Sequence, residues 1–449
     1  MLKSFLLFLS KLLGVFLIFI LLFIYLCKIP SPCIDESIQP GNYKREQVGK
    51  HHYNVNNNWL KKNEFGIWEM YIEGDAYERG VIYGVLAKEI IERQEEAFVK
   101  QINKLVPGTL FQRILQLFIA FFNRDMDGYV PDENLKEIYG ISKSFSPKYT
   151  YIGPNFYRIL YYHAAHDIGH ALADLRIVGC TSFAAKDSLT VDGSLLLGRN
   201  FDFFMGQEFA KEKLILFVKP SNGYGFSTYS WAGFTGVVSG MNEKGLSVTL
   251  NASKSDIPTS ARTPISILAR EILQYASNIS EAFEIAKKHE TFVSESILIG
   301  SPSDHNAAII EKGPNKMDLV FQSADHLVCA NHYQGKVFGD SPVNMENIKF
   351  SDSKFRFDRM SELLQENKPL THLKAATILR NKGGKDDSQI GYGNPKAINQ
   401  MIAHHSVIFK PESGLMWVST PPYQMGEFIP YDIPQIIATK KTNSSVSDS

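Results

Sequence analysis

The chain has 449 residues, of which 44% are hydrophobic and 21% are charged. This composition supports a large buried core and excludes an intrinsically disordered chain. The 47 Lys and Arg residues balance 47 Asp and Glu residues, so neither nucleic acid nor a polybasic membrane patch is predicted as a partner. Four cysteines, two of them in or just after the hydrophobic N-terminus, are too few for a disulfide scaffold.

An apolar run from Phe5 to Cys27, interrupted by Lys11, opens the chain. It can cross a hydrocarbon core of roughly 30 Å if Lys11 snorkels to the interface. Positive charge on its N-terminal side predicts that this end stays in the cytoplasm and that the rest is exported, to the periplasm or another extracytoplasmic side. A cleaved signal peptide is the alternative, but no small-residue cleavage site follows the run. We therefore predict a transmembrane signal anchor over residues 1–28.

The rest of the chain divides by composition and periodicity. Residues 29–58 are polar and rich in turn formers, which predicts a linker. Residues 59–179 predict a mostly helical leading segment, and short β-type runs with helix pairs then fill residues 180–440. Residues 441–449 predict a disordered tail. The pattern indicates an α+β fold in which two antiparallel sheets stack face to face with helices outside.

A glycine followed by a single cysteine opens the first strand after the leading segment. The Cys180 thiol is a nucleophile once deprotonated, and its own α-amine can act as the base if Cys180 becomes an amino terminus. Gly179 has no Cβ, so the thiol can approach its carbonyl. We predict that the chain cuts itself between Gly179 and Cys180. Arg199 is suited to stabilise thiolate charge, and Asp202 is suited to hold the new ammonium group.

Arg199 and Asp202 lie at positions of opposite parity on one predicted strand. A regular strand points such residues to opposite faces of its sheet. Both can face Cys180 only if the strand bulges or ends, which predicts an irregularity near Asn200.

Gly-Cys-Thr-Ser-Phe from residue 179 and Gly-Arg-Asn-Phe-Asp-Phe from residue 198 resemble the start of the catalytic subunit in N-terminal nucleophile (Ntn) hydrolases. Within them, the sequence is most similar to the acyl-coenzyme A:6-aminopenicillanic acid acyltransferase family, and more distantly to acid ceramidase and choloylglycine hydrolase. The resemblance covers roughly residues 65–430. It implies a four-layer αββα fold, self-cleavage into two pieces that stay together, and chemistry without a metal or organic cofactor.

The resemblance also implies the remaining site residues. Cys180 would be the nucleophile, with Arg199 and Asp202 as its supports. Asn251 occupies the place of a substrate-orienting oxyanion donor, and Asn331 occupies the place of the second donor. Turn capping is the alternative role for both asparagines. A further active-site arginine precedes a helix in the related hydrolases, and the candidates for it are Lys354 and Arg356, of which Arg356 is chemically the better.

These residues together predict a self-processing amidohydrolase or acyltransferase that cleaves N-acyl amides through an acyl-thioester on Cys180. Its partners would be a small N-acyl or lipid-derived substrate, the membrane and its own cleaved N-terminal segment. One alternative is a phospholipase B-like or ceramidase-like lipid acyl hydrolase, and another is a non-catalytic exported binding protein.

Three histidines, His163, His166 and His170, share one face of a predicted helix at i, i+3 and i+7. This spacing is compatible with a metal site. Apart from Asp167, which shares that face only in part, no carboxylate with clear ligand spacing accompanies them. A stripe of hydrogen-bonded or solvent-facing histidines is therefore favoured, and no metal is predicted.

Overall fold

Two stacked sheets form the centre of the fold in the computed structural model, which describes residues 2–165, 167, 179–254, 260–321 and 325–439. The described helices are α1 (Leu2–Leu26), α2 (Ala76–Leu105), α3 (Thr109–Phe122), α4 (Asp132–Ser142), α5 (Asn155–His163), α6 (Ile265–Tyr275), α7 (Ile279–Lys288), α8 (Pro342–Phe350), α9 (Ser353–Glu366), α10 (His372–Leu379) and α11 (Ile433–Ala438). The predicted tail lies outside these residues, as does the second half of the helix predicted before Gly179.

The larger sheet has eleven strands in the order β1-β2-β3-β4-β7-β8-β9-β10-β11-β12-β13, and the smaller has six in the order β14-β5-β6-β15-β16-β17. Their bounds are β1 (Glu46–Gly49), β2 (His52–Val55), β3 (Asn58–Lys62), β4 (Trp68–Gly74), β5 (Thr181–Asp187), β6 (Gly193–Asp202), β7 (Lys213–Pro220), β8 (Phe226–Trp231), β9 (Ser239–Asn242), β10 (Ser247–Ala252), β11 (Glu295–Ser301), β12 (Asn306–Lys312), β13 (Met317–Phe321), β14 (His326–Cys329), β15 (Ala403–Lys410), β16 (Leu415–Ser419) and β17 (Phe428–Asp432).

Side-chain alternation along the strands builds three apolar layers. Leu197 of β6 faces Ile215 and Phe217 of β7 in the core between the sheets. The next residue on β6, Leu196, points the other way and packs under α9 and α10. The outer face of the larger sheet packs against α2, α4, α5, α6 and α7. Because successive strand residues alternate between faces, each sheet is buried on both sides, and the predicted αββα arrangement of two stacked sheets between helices is confirmed.

The larger sheet differs from the prediction in being mixed. β4 of the leading segment pairs with β7 in parallel, from Trp68 opposite Leu214 to Gly74 opposite Pro220. The predicted linker also differs, because residues 46–62 form strands β1 to β3 at the edge of the same sheet. β1 is exposed along its whole length, so it lacks the apolar alternation by which sequence patterns reveal strands. The leading segment is therefore part helix and part sheet.

A buried ion pair fastens the leading segment to the rest of the chain. The Glu137 carboxylate in α4 lies 2.5 Å from the Arg79 guanidinium in α2 and 2.7 Å from the Arg270 guanidinium in α6. All three side chains are fully buried. Burial opposes the charge on Glu137, but Arg270 and Arg79 hold its pKa at about 2. Since Arg270 follows residue 180 and Glu137 precedes it, this cluster and the β4–β7 pairing would hold two pieces together after a cut.

The N-terminal helix α1 is long and apolar enough to span a membrane. Its stretch Phe8–Leu26 has a mean hydropathy of 2.6 and no buried side chains. A signal sequence shares these properties, so the predicted anchor and its orientation remain proposals.

Candidate functional site

Cys180 follows Gly179 in the chain and directly precedes β5. The hairpin of β5 and β6 places Ser182 opposite Arg199 in a regular register. From there the Arg199 guanidinium reaches back, with Nη2 3.4 Å from Cys180 Sγ. Both side chains are fully buried. The predicted pairing of Cys180 with Arg199 thus has a geometric basis in the structure.

A glutamine links the predicted scissile bond to Asp202. Gln400 Nε2 donates to the Gly179 carbonyl at 2.7 Å and to Asp202 Oδ2 at 2.9 Å. A Cβ on residue 179 would lie 2.5 Å from Gln400 Nε2. Only glycine therefore allows the amide so close to this carbonyl. The other oxygen, Asp202 Oδ1, is buried and has no hydrogen-bond partner among the described residues.

The backbone irregularity near Asn200 is not where the sequence predicted it. β6 keeps its register with β5 through Asn200, which lies opposite Thr181. The bulge is on the neighbouring strand β15, where Phe201 faces His405 and Asp202 faces Ala403. Arg199 and Asp202 therefore do point to opposite faces. Both residues are nevertheless close to Cys180, because the Arg199 guanidinium contacts its thiol and the Asp202 backbone carbonyl lies 4.0 Å from its sulfur.

The larger sheet fixes the Arg199 side chain. Nη1 donates to the Val238 carbonyl and Ser239 Oγ, and Nη2 donates to the Leu250 carbonyl. His405 Nε2 contacts the same Ser239 hydroxyl at 2.8 Å. Because its planar fork has several fixed partners, the guanidinium is held in one orientation toward the thiol.

The opposite side of the site contains Asn331 and Arg356. Arg356 Nη2 donates to Asn331 Oδ1 at 2.6 Å, and its Nε donates to Thr181 Oγ1 at 3.2 Å. Lys354, by contrast, lies at the surface in an ion pair with Asp358. Of the two basic candidates, only Arg356 is brought to the residues around Cys180. Asn331 Nδ2 donates to the carbonyl of Ala252 at 2.9 Å, at the end of β10.

Asn251 joins the two sheets close to Cys180. Its Oδ1 accepts a hydrogen bond from Ser182 Oγ at 2.6 Å, and its Nδ2 donates to the Cys329 carbonyl at 3.0 Å. Ser182 is on the same face of β5 as Cys180, two residues along. Both ends of the Asn251 amide are thus engaged by protein groups. Cys329 is itself fully buried.

The buried setting shifts both reactive groups toward their protonated forms. Burial raises the pKa of the Cys180 thiol, and the nearby Arg199 charge partly offsets this effect. Burial also raises the pKa of Asp202 to about 7, despite the opposing charges of Arg356 and Arg199. At neutral pH the carboxyl group of Asp202 can therefore both accept and donate a proton.

An apolar cleft opens between α2 and the loop after β8. Aromatic side chains from both parts of the chain line it, including Phe98 and Phe145 before residue 180 and Phe209 and Trp231 after it. Phe203 also lines it and directly follows Asp202 in the chain. Aromatic side chains are thus gathered next to the strand that carries Arg199 and Asp202.

Of the three histidines in the predicted stripe, the structure describes only His163. His163 is buried, with Nδ1 2.8 Å from the Ile159 carbonyl and Nε2 accepting from the Thr235 backbone N–H at 2.9 Å. His166 and His170 lie outside the described residues. Among the described residues, no group of three or more potential metal ligands comes together.

Gln400 is the site residue that the sequence analysis missed. It sits in the segment before β15, more than two hundred residues from Gly179, and no motif surrounds it. Only the pairing of β15 with β6 brings it to Asp202. A single side-chain amide just before a strand carries no signal in the sequence by itself.

The family model of acyl-coenzyme A:6-aminopenicillanic acid acyl-transferase matches residues 189–420, about half of the chain. The chain belongs to this family. The matched region contains Arg199, Asp202, Asn251, Asn331 and Arg356 and begins after Cys180. The predicted resemblance to this branch of the Ntn hydrolases is confirmed.

Two curated relatives match parts of the chain. An uncharacterised protein of Archaeoglobus fulgidus is 25% identical over 340 residues, which cover 67% of this chain and 55% of the relative. The N-acylethanolamine-hydrolyzing acid amidase of Caenorhabditis elegans is 28% identical over 225 residues, 48% of this chain and 59% of the relative. The matches thus span little more than half the length of these relatives.

Two solved structures resemble the fold. The Caenorhabditis elegans N-acylethanolamine-hydrolyzing acid amidase ortholog gives a TM-score of 0.38 at 17% identity, covering 52% of this chain and 93% of the other. Penicillin V acylase from Agrobacterium tumefaciens gives a TM-score of 0.39 at 15% identity, covering 59% of this chain and 89% of the other.

Proposed function

We propose that this protein is a self-processing cysteine amidohydrolase or acyltransferase that acts on N-acyl amides through Cys180. The main support is the arrangement at one peptide bond. The Arg199 guanidinium lies 3.4 Å from the Cys180 thiol, while Gln400 donates to the Gly179 carbonyl at 2.7 Å. A nucleophile with a cation beside it and a carbonyl with a hydrogen-bond donor on its oxygen are the two requirements of acyl transfer.

Self-cleavage would begin with transfer of the Cys180 thiol proton to the Asp202 carboxylate. The thiolate attacks the Gly179 carbonyl carbon, and Gln400 donates to the oxygen as negative charge develops on it. Breakage of the C–N bond, with a proton returned from Asp202, frees the amine of Cys180 and leaves a thioester. Water then hydrolyses the thioester, which gives a Gly179 carboxylate and restores the thiol.

In the mature enzyme the freed amine of Cys180 would become the general base. Its reference pKa of about 7.7–8.0 suits proton transfer near neutral pH. The unpartnered Asp202 Oδ1 is available to accept a hydrogen bond from this amine in its charged form. Asn251 and Asn331 would hold the oxyanion of the substrate after the cut, and Arg356 orients Asn331 through its amide oxygen.

The substrate class follows from the family and the cleft. The relative in Caenorhabditis elegans is named for hydrolysis of N-acylethanolamines. In this chain, Phe203, the residue after Asp202, lines an aromatic cleft. The cavity itself holds only about 30 Å³, so an acyl chain would enter it as the aromatic side chains move apart, and each CH₂ buried there would contribute about 0.8 kcal/mol to binding. We propose that α1 keeps this activity at a membrane, on its exported side.

A direct test uses the purified full-length protein. We expect its intact mass to show two fragments split after Gly179. We also expect release of the amine from an N-acylethanolamine, and a catalytic fragment heavier by one acyl group when the reaction is quenched. N-acyl amino acids, ceramides and aminopenicillanic acid derivatives serve as competing substrates. A chain that stays intact would contradict self-processing, and a cut protein that turns over none of these amides would contradict the substrate class.

The pKa of Asp202 predicts how self-cleavage depends on pH. Only the ionised carboxylate can accept the thiol proton, and its fraction grows as the pH rises through about 7. We expect the first-order rate of cleavage, followed by gel electrophoresis after cell-free synthesis, to rise through this pH and then level off. Asp202→Asn should slow cleavage and abolish the rise in its rate near pH 7. A rate that falls with rising pH would instead assign Asp202 the role of acid.

A further inference from the structure

Helix α3, Thr109–Phe122, presents an apolar face to its surroundings. Six large apolar side chains on it are 41–68% exposed: Leu110, Phe111, Ile114, Leu117, Phe118 and Phe121. At 100° per residue these positions fall within an arc of about 120°. A continuous apolar stripe of this width is uncommon on a helix that faces water, and it indicates a contact surface.

The body of the protein holds α3 by its other side and its ends. Phe122 is buried and packs edge-on against Phe292 at a ring-centroid distance of 5.7 Å. Arg113 donates to the Tyr151 carbonyl at 3.0 Å. At its start, Gly108 has φ +100°, which L residues rarely adopt, and the chain bends by 115° between α2 and α3. The apolar face is therefore fixed outward by the fold and does not belong to a loose segment.

The apolar face of α3 meets the C-terminal end of α1. Phe121 stacks on Phe23 of α1 with ring centroids 6.4 Å apart and planes 18° apart. Directly after α1, the backbone of Ile29 exchanges two hydrogen bonds with the Tyr157 hydroxyl, each 2.9 Å. The Phe23–Phe121 contact places α3 beside the end of α1, and the Ile29–Tyr157 hydrogen bonds fix the segment after α1 to α5.

We propose that α3 lies in the bilayer interface, with its apolar face among the lipid acyl chains beside α1. Because this face adjoins α1, which would cross the bilayer, the lipid bilayer is the occupant that fits it. Arg113, which is exposed, and Arg124, two residues after the end of α3, can reach lipid phosphates while the aliphatic parts of their side chains stay along the apolar surface. This proposal rests on membrane anchoring by α1 and is independent of the chemistry at Cys180.

The test places a tryptophan on α3 of the full-length protein in vesicles of phosphatidylcholine and phosphatidylglycerol. Phe118→Trp adds one fluorescent reporter to the 4 native tryptophans. The fluorescence of the wild-type protein gives the native background, which is subtracted. Lipids brominated in the acyl chain should quench most of the added fluorescence. The matched control is Phe350→Trp in α8, a site 74% exposed on the catalytic region, where the same lipids should leave the added fluorescence unchanged.

Each outcome has a defined meaning. Quenching confined to the α3 reporter supports the proposal. Equal quenching of both reporters, or of neither, in protein that floats with the vesicles would overturn it and leave the α1 anchor standing. Failure to float would overturn the anchor and the α3 contact together, without bearing on self-cleavage. An unquenched reporter with a dimeric mass in detergent would assign the face to a second copy, which also overturns the proposal.

Discussion

Cys180→Ala is expected to leave the protein as one uncut chain with no measurable amide turnover. The thiol is the only group in this arrangement that can attack the Gly179 carbonyl, and cleavage is also what frees the Cys180 amine. Both losses should reach at least about 10³-fold, because removing a catalytic nucleophile ordinarily costs that much or more. Intact mass measures the first loss, and amine release from an N-acylethanolamine measures the second.

Cys329→Ala provides the matched control for this substitution. Cys329 is also fully buried, and it lies on β14 opposite Ser182 of β5. It contacts the site through its backbone carbonyl, which accepts from Asn251 and is unchanged by the substitution. We expect normal cleavage in this variant. Cleavage retained in Cys180→Ala, or lost equally in both variants, would refute Cys180 as the nucleophile.

Gln400→Met should slow self-cleavage by about 10²–10³-fold, the usual cost of losing one oxyanion donor. Methionine has nearly the same length as glutamine but cannot donate to the Gly179 carbonyl. The rate is measured on freshly translated precursor by the appearance of the two fragments. Turnover per cut molecule should fall much less, since the Gly179 carbonyl belongs to the precursor reaction alone.

Gln389→Met is the matched control for Gln400, because it makes the same change at an exposed position between α10 and β15. It should cut at the wild-type rate. A purely structural role of Gln400 is tested in an uncut background, by comparing the melting temperatures of Cys180→Ala with and without Gln400→Met. Cleavage of Gln400→Met at the wild-type rate, with an unchanged melting temperature, would exclude it as the oxyanion donor.

The parts of the site predicted from sequence are those that the chain brings together locally. Cys180 directly precedes β5 and Arg199 lies on β6, and a short loop joins these two strands, so the hairpin itself brings the two residues close together. The predicted strand break near Asn200 was wrong for a related reason. The sequence shows that Arg199 and Asp202 have opposite parity. It does not show that Cys180 lies just before β5, where both residues can approach it.

Local sequence patterns could not decide whether Lys354 or Arg356 faces the site. Two residues apart on a helix, they point about 200° away from each other. Either could face the site until the packing of α9 on the smaller sheet is known. The structure buries Arg356 and leaves Lys354 in a surface ion pair, a result that depends on the whole layer.

By itself, the sequence determined the family, the two-sheet α+β fold class and the apolar N-terminal helix, because these depend on motifs, periodicity and hydropathy along the chain. Only the tertiary structure placed Gln400 on the Gly179 carbonyl, made β4 and β7 a parallel pair and set the apolar face of α3 beside α1. Each of these joins segments distant in sequence. Their contacts depend on how sheets and helices pack, which no local pattern of residues encodes.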